Sequence, residues 1–476
     1  MRAARLLPSP TLILVLAAGL TLLAIVVGRG ISDPDYFWHI AVGERILDSG
    51  IPSTDPYSFT WGGQPWTPHE WLGEVLMAGL EGAVGPGGAL LTFGLLGLAT
   101  IGCIAWLLAR RGVRTLAIAA PLVIATGILA AFLTVRPQAI SWALLALLLV
   151  WLDALRPERT RLALALPLLF VAWANLHGLW VVGLGVVVVY TAFTLAGRTP
   201  MAAARGRMLI VAALSALATM LTPAGPAGIL YPLRYIDAGD WGLANIQEWQ
   251  SPNFHDPAHW AFLLLILALI ANGGRRAPGW LVALSWIGVV AGLMSLRNIP
   301  IAAILAAPAL GIGIESRLGA ARTTRPPRIA MVRRLMELVV AVVVVVFAFV
   351  ALAPGSQPVV RESEYPTAAL DVLVDEMPTA RLMAEYGWGG YAISRLSPSG
   401  GSVFVDGRND MYDQEILEDY STVRAADAGW EEIVDRYGVE AMLFAPSVTI
   451  TKGPALDEGW CERYRDESQV LLVRCP

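Results

Sequence analysis

Charge is scarce in this chain of 476 residues. Only 15% are Asp, Glu, Lys or Arg, against 56% from the apolar set, and the mean hydropathy is +0.59. Soluble domains carry about a quarter charged residues, so a purely soluble enzyme is excluded. Lysine is nearly absent, Lys452 standing alone among 34 basic residues; that reflects genome composition rather than chemistry. The three cysteines carry little. Cys103 falls in an apolar run and reads as packing. Cys461 and Cys475 lie near the C-terminus, in a segment 459–475 that reads as a hairpin turning near Asp466. That register pairs Cys461 near Leu472 and misses Cys475 by about three positions, which weighs against a disulfide that an oxidising compartment would permit. Phosphate-loop and dinucleotide fingerprints are missing too, and no nucleic-acid partner is expected.

The near-neutral net charge of −4 hides an asymmetry. From Pro354 onward there are 22 acids and 10 bases, a balance of −12; the preceding part has 16 acids and 24 bases, a balance of +8. The apolar residues come in blocks long enough to span a bilayer. Eleven candidate spans fall near 11–28, 87–109, 115–134, 138–155, 161–176, 178–197, 207–222, 258–273, 279–296, 299–316 and 335–353. With the N-terminus inside, the inner loops hold 19 Arg and 4 acids, and the outer loops 5 Arg and 12 acids. That is the positive-inside bias. An odd number of spans then puts the acidic tail outside. Val26-Val27-Gly28-Arg29 shows no A-x-A-like cleavage site, so the first segment reads as an uncleaved anchor. The expected fold is a polytopic α-helical membrane protein of about eleven transmembrane helices with a small C-terminal extracytoplasmic α/β domain. Its expected domains are 1–353, which includes a first outer loop at 29–86, and 354–476.

Polar groups are expensive at membrane depth, so their placement is informative. They collect on the outer side. The first outer loop carries Asp33, Asp35, His39, Asp55, His69 and Glu70; a second long outer loop, about 223–257, carries Arg234 and Glu248. The short outer turns add Arg136, His177 and Arg297. Asp33-Pro34 reads as an N-cap with proline at the first helical position, opening a helix that stops at Gly50. Asp35 and His39, four apart, share a face of it. Thr67-Pro68-His69-Glu70 reads as a capping box for a second helix ending near Gly85-Pro86. Each of these residues has a plain reading as a cap or an interfacial side chain. Trp38, Trp61, Trp66 and Trp71 read as an aromatic belt rather than a sugar-stacking platform. Arg136 and Arg297 oppose the positive-inside trend and are followed closely by prolines, which favours a functional role.

This arrangement suits transfer from a lipid phosphate: arginines for the anionic donor, and a carboxylate base, acting directly or through a metal, for the acceptor. The stretch DPDYFWHIAVGERILDSGIPSTDPYSFTWGGQPWTPHEWL (33–72) and the tail segments EYGWGGYAI (385–393) and VFVDGRNDMY (403–412) resemble a group of bacterial membrane proteins of the GT-C glycosyltransferase type. The resemblance implies a polyprenyl-phosphate-linked sugar donor, an inverting transfer, and a catalytic acid in the first outer loop. Asp33 is then the base or metal ligand, with Asp35 second. His39, His69, Glu70, Arg136, His177, Arg234 and Arg297 would bind substrate. A divalent metal (Mg or Mn) on Asp33 and Asp35 stays open, as does the acceptor, which is a glycan, lipid or protein. The absence of a WWD-type tail motif speaks against peptide-asparagine glycosylation. The localisation implied is the bacterial cytoplasmic membrane, among whose lipids the chain would work at the outer face. The rival classes are a transporter or flippase, which predicts mid-span charges and inverted repeats where the span interiors are nearly free of charge, and a non-catalytic assembly protein.

Beyond residue 353 the chain alternates strand-like and helix-like pieces, with Pro354-Gly355-Ser356-Gln357-Pro358 as a linker. Strands are expected at Ala380–Glu385, Ser402–Asp406 and Glu440–Phe444, and helices near Asp413–Arg424 and Gly429–Tyr437. The GWGGY and DGRND runs follow strands, where open α/β sheets place ligand loops.

Overall fold

The computed structural model describes residues 9–158, 160–229, 239–272, 274, 276–318, 364–408 and 411–476. The expected span 335–353 and the linker 354–358 lie outside them. The chain divides into two compact units: Met1–Gly30, Val84–Ile229 and Ile246–Pro358 form one, and Ile31–Ala83, Leu230–Asn245 and Val359–Pro476 form the other. The first outer loop thus packs as part of the same unit as the tail.

The first unit is helical. Five described helices are long and apolar enough to cross a membrane: Pro10–Arg29, Trp71–Arg110, Thr115–Phe132, Pro200–Ala218 and Leu296–Leu318. Shorter apolar helices run over Gln138–Ala154, Leu162–Leu176, Trp180–Leu195, Pro257–Asn272 and Gly279–Met294. Helices therefore occupy the first ten expected segments. The Trp71–Arg110 helix breaks at Gly85 (φ 69°), next to Pro86, where the sequence separates an interfacial helix from a span. Ile299–Leu318 forms the core: every residue from Ile299 to Leu310 is buried. The outward faces carry apolar side chains instead, such as Leu116 (72% exposed) and Leu168 (71%), as a lipid-facing surface requires. Two ion pairs tie helix ends: Arg111 Nε donates to Asp153 at 2.8 Å and Arg114 Nε to Glu315 at 2.8 Å.

The second unit is built on a five-stranded sheet: β1 (Arg381–Ala384), β2 (Ser402–Val403), β3 (Ala441–Phe444), β4 (Trp460–Arg465) and β5 (Val470–Arg474), in the order β2-β1-β3-β5-β4. The β1–β2 and β1–β3 pairs are parallel; β3–β5 and β4–β5 are antiparallel. β3 is buried throughout and β1 and β5 nearly so, matching their continuous apolar runs. Helices Gln414–Ala425 and Trp430–Arg436 lie where expected. Two helices were not legible: Thr367–Glu376, and Gly389–Leu396, which opens on the paired glycines that read as a ligand loop.

Two of the outer-loop caps need correcting. The first helix runs Tyr36–Ser49, two residues later than expected. Asp33 Oδ1 accepts from the Asp35 N–H at 3.0 Å, so Asp33 and Pro34 form a turn ahead of the helix. The second helix starts at Trp71, and Glu70 precedes it, its carbonyl accepting from the Glu74 N–H. Gly43 lets these two helices meet: a β-carbon there would lie 2.2 Å from the Glu74 carbonyl oxygen. The aromatic belt is corrected too. Trp38 and Trp66 are buried within the unit, at 6% exposure each.

Cys461 and Cys475 form a disulfide, Cα–Cα 5.1 Å, against the expected register. A bulge between Glu462 and Tyr464 places Cys461 opposite Val473. Cys475 is then a diagonal neighbour on the same face, within reach.

Candidate active site

The carboxylates are buried in the second unit, against its tail. Asp33 and Asp35 are 5% and 9% exposed, and His39 on the next helical turn is 2% exposed. The tail meets them through glycines. A β-carbon on Gly407 would lie 2.0 Å from Asp35 Oδ1 and 3.1 Å from Trp38 Nε1; one on Gly390 would lie 2.7 Å from the Pro34 carbonyl oxygen. Only glycine permits backbone to approach that closely. The GWGGY run therefore faces Pro34 and Trp38, and the DGRND run, described through Arg408, faces Asp35.

Two polar hydrogens in this region are unspent. The Tyr365 hydroxyl and the Trp38 indole N–H are buried without a hydrogen-bond partner among the described residues. Burial, then the charges of Asp33, Glu364 and Asp35, push the Tyr365 phenol far above its ordinary value, so it stays a donor at any working pH. Of the other residues singled out, His39 Nδ1 lies 3.6 Å from Glu74 Oε1, a buried carboxylate the sequence did not flag, and His69 Nε2 lies 3.0 Å from Glu70 Oε1.

A buried ionic cluster fixes the loop to the sheet within the same unit. Arg408, 1% exposed, donates from Nε and Nη2 to Asp406 (2.8 and 2.6 Å) and from Nη1 to Asp55 (2.6 Å). Its guanidinium also lies over the rings of Tyr57 (5.2 Å) and Trp66 (4.7 Å). Burial opposes its charge, but Asp406 and Asp55 outweigh that and hold its pKa well above the usual value. The Tyr412 hydroxyl donates to Asp406 Oδ2 at 2.6 Å. Beside the cluster, Tyr57–Phe59 runs along the outer edge of β2. The Val403 N–H donates to the Tyr57 carbonyl at 3.0 Å and the Phe59 N–H to the Val403 carbonyl at 3.1 Å.

In the helical unit, Arg136 pairs with the Glu248 carboxylate, and the charge of Arg297 bears on it as well. Arg136 Nη1 donates to Glu248 Oε1 at 2.8 Å. The charge of Arg136 first, and Arg297 after the opposing effect of burial, holds the Glu248 carboxyl below its ordinary range. The Ser295 hydroxyl donates to the Glu248 carbonyl at 2.8 Å and the Leu296 N–H to that of Gln250 at 2.9 Å, so the two outer loops are stitched together there. His177 has a structural task at the break between two helices. Its Nδ1 accepts from the Leu179 N–H (3.1 Å) and lies 3.0 Å from Ser141 Oγ, which itself accepts from Trp173 Nε1 (2.8 Å). Nδ1 is thus the acceptor, and the ring proton sits on Nε2. Arg234 lies outside the described residues.

Among the described residues no group of three or more His, Cys, Asp or Glu gathers as a metal site. Asp33 and Asp35 are two carboxylates, a set that suits a magnesium-type ion when water and substrate oxygens complete its shell.

The fold is similar to that of ArnT from Cupriavidus metallidurans. The apo crystal structure of that protein matches 97% of this chain and 97% of its own, with TM-score 0.52 at 16% identity. The likeness is one of fold. The mycobacterial arabinofuranosyltransferase AftD is matched over 97% of this chain and 40% of its own, with TM-score 0.49 at 14% identity. No protein-family model matches the chain, and no match was found among curated proteins.

Proposed function

We propose that the chain is a membrane glycosyltransferase. It moves a sugar from a polyprenyl-phosphate donor to a glycan, lipid or protein acceptor at the outer face of the cytoplasmic membrane. The observation that carries this reading is the pair of buried carboxylates, Asp33 and Asp35, in the first outer loop of a chain with ArnT-like architecture. Fold alone does not assign chemistry; the site must. Asp33 is the general base: it takes the proton from the acceptor hydroxyl as that oxygen attacks the anomeric carbon. The carbon–oxygen bond to phosphate breaks on the opposite side, inverting the centre. Arg136 and Arg297 bind the lipid phosphate and stabilise the charge it gains on leaving. Tyr365 and Trp38 supply donors to the sugar or acceptor oxygens beside Asp33. Asp35 positions Asp33, and the two together would hold a divalent ion if one is required. The Cys461–Cys475 disulfide supports a tail outside the cytoplasm, since such bonds persist in oxidising compartments.

The test uses the full chain in nanodiscs with a panel of radiolabelled polyprenyl-phosphate pentoses and hexoses. Wild type should transfer at least one sugar, and Asp33→Asn should lose about 10²–10⁴-fold in rate, the share a general base supplies. Equal rates for Asp33→Asn would sink the assignment. Arg297→Ala should raise the KM for the lipid donor by about tenfold, the worth of one charge-assisted contact to phosphate. An unchanged KM in the folded variant would remove that arginine from the mechanism.

A further inference from the structure

The mechanism leaves one cavity of the second unit unused. It measures about 600 Å³ and is lined by Tyr36, Phe37, Tyr57, Tyr391, Glu44, Arg45, Asp48, Glu81, Ser394 and Arg395, among others, a size typical of small-molecule sites. Its walls are fixed. The Tyr36 hydroxyl donates to Glu81 Oε2 at 2.6 Å and that of Tyr57 to the Ala41 carbonyl at 2.9 Å, while Tyr57 itself lies under the Arg408 guanidinium. Phe37 connects the cavity to the reacting region. Its ring packs edge-on against Tyr391 (4.8 Å), which lines the cavity, and against Tyr365 (5.0 Å), which lies in the field of Asp33.

We propose that this cavity is the acceptor subsite and that the acceptor is a neutral glycan. The assignment deepens the transferase reading and rests on it. Sugar hydroxyls both donate and accept. They are best met by acceptor-only carboxylates interleaved with donor-only guanidiniums, as Glu44, Asp48 and Glu81 are with Arg45 and Arg395. The carbon–hydrogen faces of sugar rings pack on aromatic side chains, and four line this cavity. Three carboxylates against two guanidiniums disfavour an anionic ligand such as a phosphorylated headgroup. The charged lining equally disfavours an alkyl chain.

The test is saturation-transfer NMR on the full chain in nanodiscs, without donor. The probes are mannotriose, galactotriose and arabinotriose, with trigalacturonate and glycerol phosphate as anionic comparators. At least one neutral trisaccharide should bind saturably at millimolar concentration. Asp48→Ala, at an exposed position, should weaken it by about fivefold, the worth of one hydrogen bond, and Ser394→Trp should abolish it by filling the space. Thermal melting checks that both variants remain folded. No neutral trisaccharide binding to wild type, unchanged binding in both folded variants, or preference for the anionic probes would each overturn the proposal. A chain that transfers sugar from a lipid donor yet fails here keeps the enzyme reading and loses this subsite. Binding here without any transfer removes the enzyme reading and with it the acceptor role, leaving a sugar-binding cavity.

Discussion

The α-carbon of Gly407 lies so close to the Asp35 carboxylate that a β-carbon on it would sit 2.0 Å from Oδ1. A residue in the tail therefore sets the position of a carboxylate near the start of the chain. Gly407→Ala should displace Asp35 and, through the turn it shares with Asp33, the proposed base. We expect a loss of about 10²-fold in transfer rate, as small misplacements of reacting groups produce, with a modest change in melting temperature. A rate within twofold of wild type would show that Asp35 tolerates the shift.

Arg408 should matter for folding rather than for catalysis. Arg408→Leu leaves Asp55 and Asp406 buried without their countercharge. Breaking such a cluster costs about 3–5 kcal/mol, a large share of a domain's stability, as chemical denaturation followed by tryptophan fluorescence would report. Tyr412→Phe removes one hydrogen bond to Asp406 and should cost about 1 kcal/mol.

The Arg136–Glu248 tie should weaken in acid. The folded Glu248 pKa is depressed below its ordinary 4.5 by Arg136 first. Its contribution is therefore complete above that ordinary value and lost as pH falls through the depressed one. Hydrogen exchange at Leu296 and Ser295 should rise in that range for wild type. Glu248→Gln should show the raised exchange at all pH values and no acid step.

Reduction of the Cys461–Cys475 link should loosen the terminal hairpin. The two residues are 14 apart, and closing a loop of that size is worth about 3 kcal/mol in the chain-entropy model. Cys461→Ser and mild reductant should lower the melting temperature by the same amount; an effect of reductant on the serine variant would point elsewhere.

Phenol ionisation should leave no mark on the activity profile. Tyr365 is pushed far above its ordinary value by burial and by the Asp33 and Glu364 charges, so Tyr365→Phe should lower kcat/KM by about tenfold without adding or removing a limb in its pH dependence. A new alkaline limb in wild type that vanishes in the phenylalanine variant would contradict this.

Hydropathy made the helical segments legible, because a bilayer demands long uniform runs and the loops between them stand out. Arg136 and Arg297 drew notice as bases where the positive-inside pattern disfavours them, and Asp33 through its position after the first span and the resemblance of residues 33–72. What stayed hidden was long-range. Arg408 is an ordinary turn residue until Asp55, 353 positions earlier, is placed against it. Glu248 looks like any acid in a polar loop until Arg136 is placed against it. Trp38 and Trp66 were read as a belt because aromatic content near a span does not reveal whether a ring faces lipid or protein. The disulfide was missed because a bulge shifts the register by one residue and the bond then closes on the diagonal, neither of which an alternation pattern marks.

The pairing of Tyr57–Phe59 with the edge of β2 has a consequence for biosynthesis. Thr60 bonds Phe404, 344 positions later. At about 5–20 residues per second, the ribosome needs roughly 20–70 s to make the intervening chain. The early segment must wait that long, already past the first helix, before its sheet partner emerges. Nascent-chain truncation before Phe404 should leave that segment sensitive to protease, and any chaperone that guards the young polypeptide would find its substrate there.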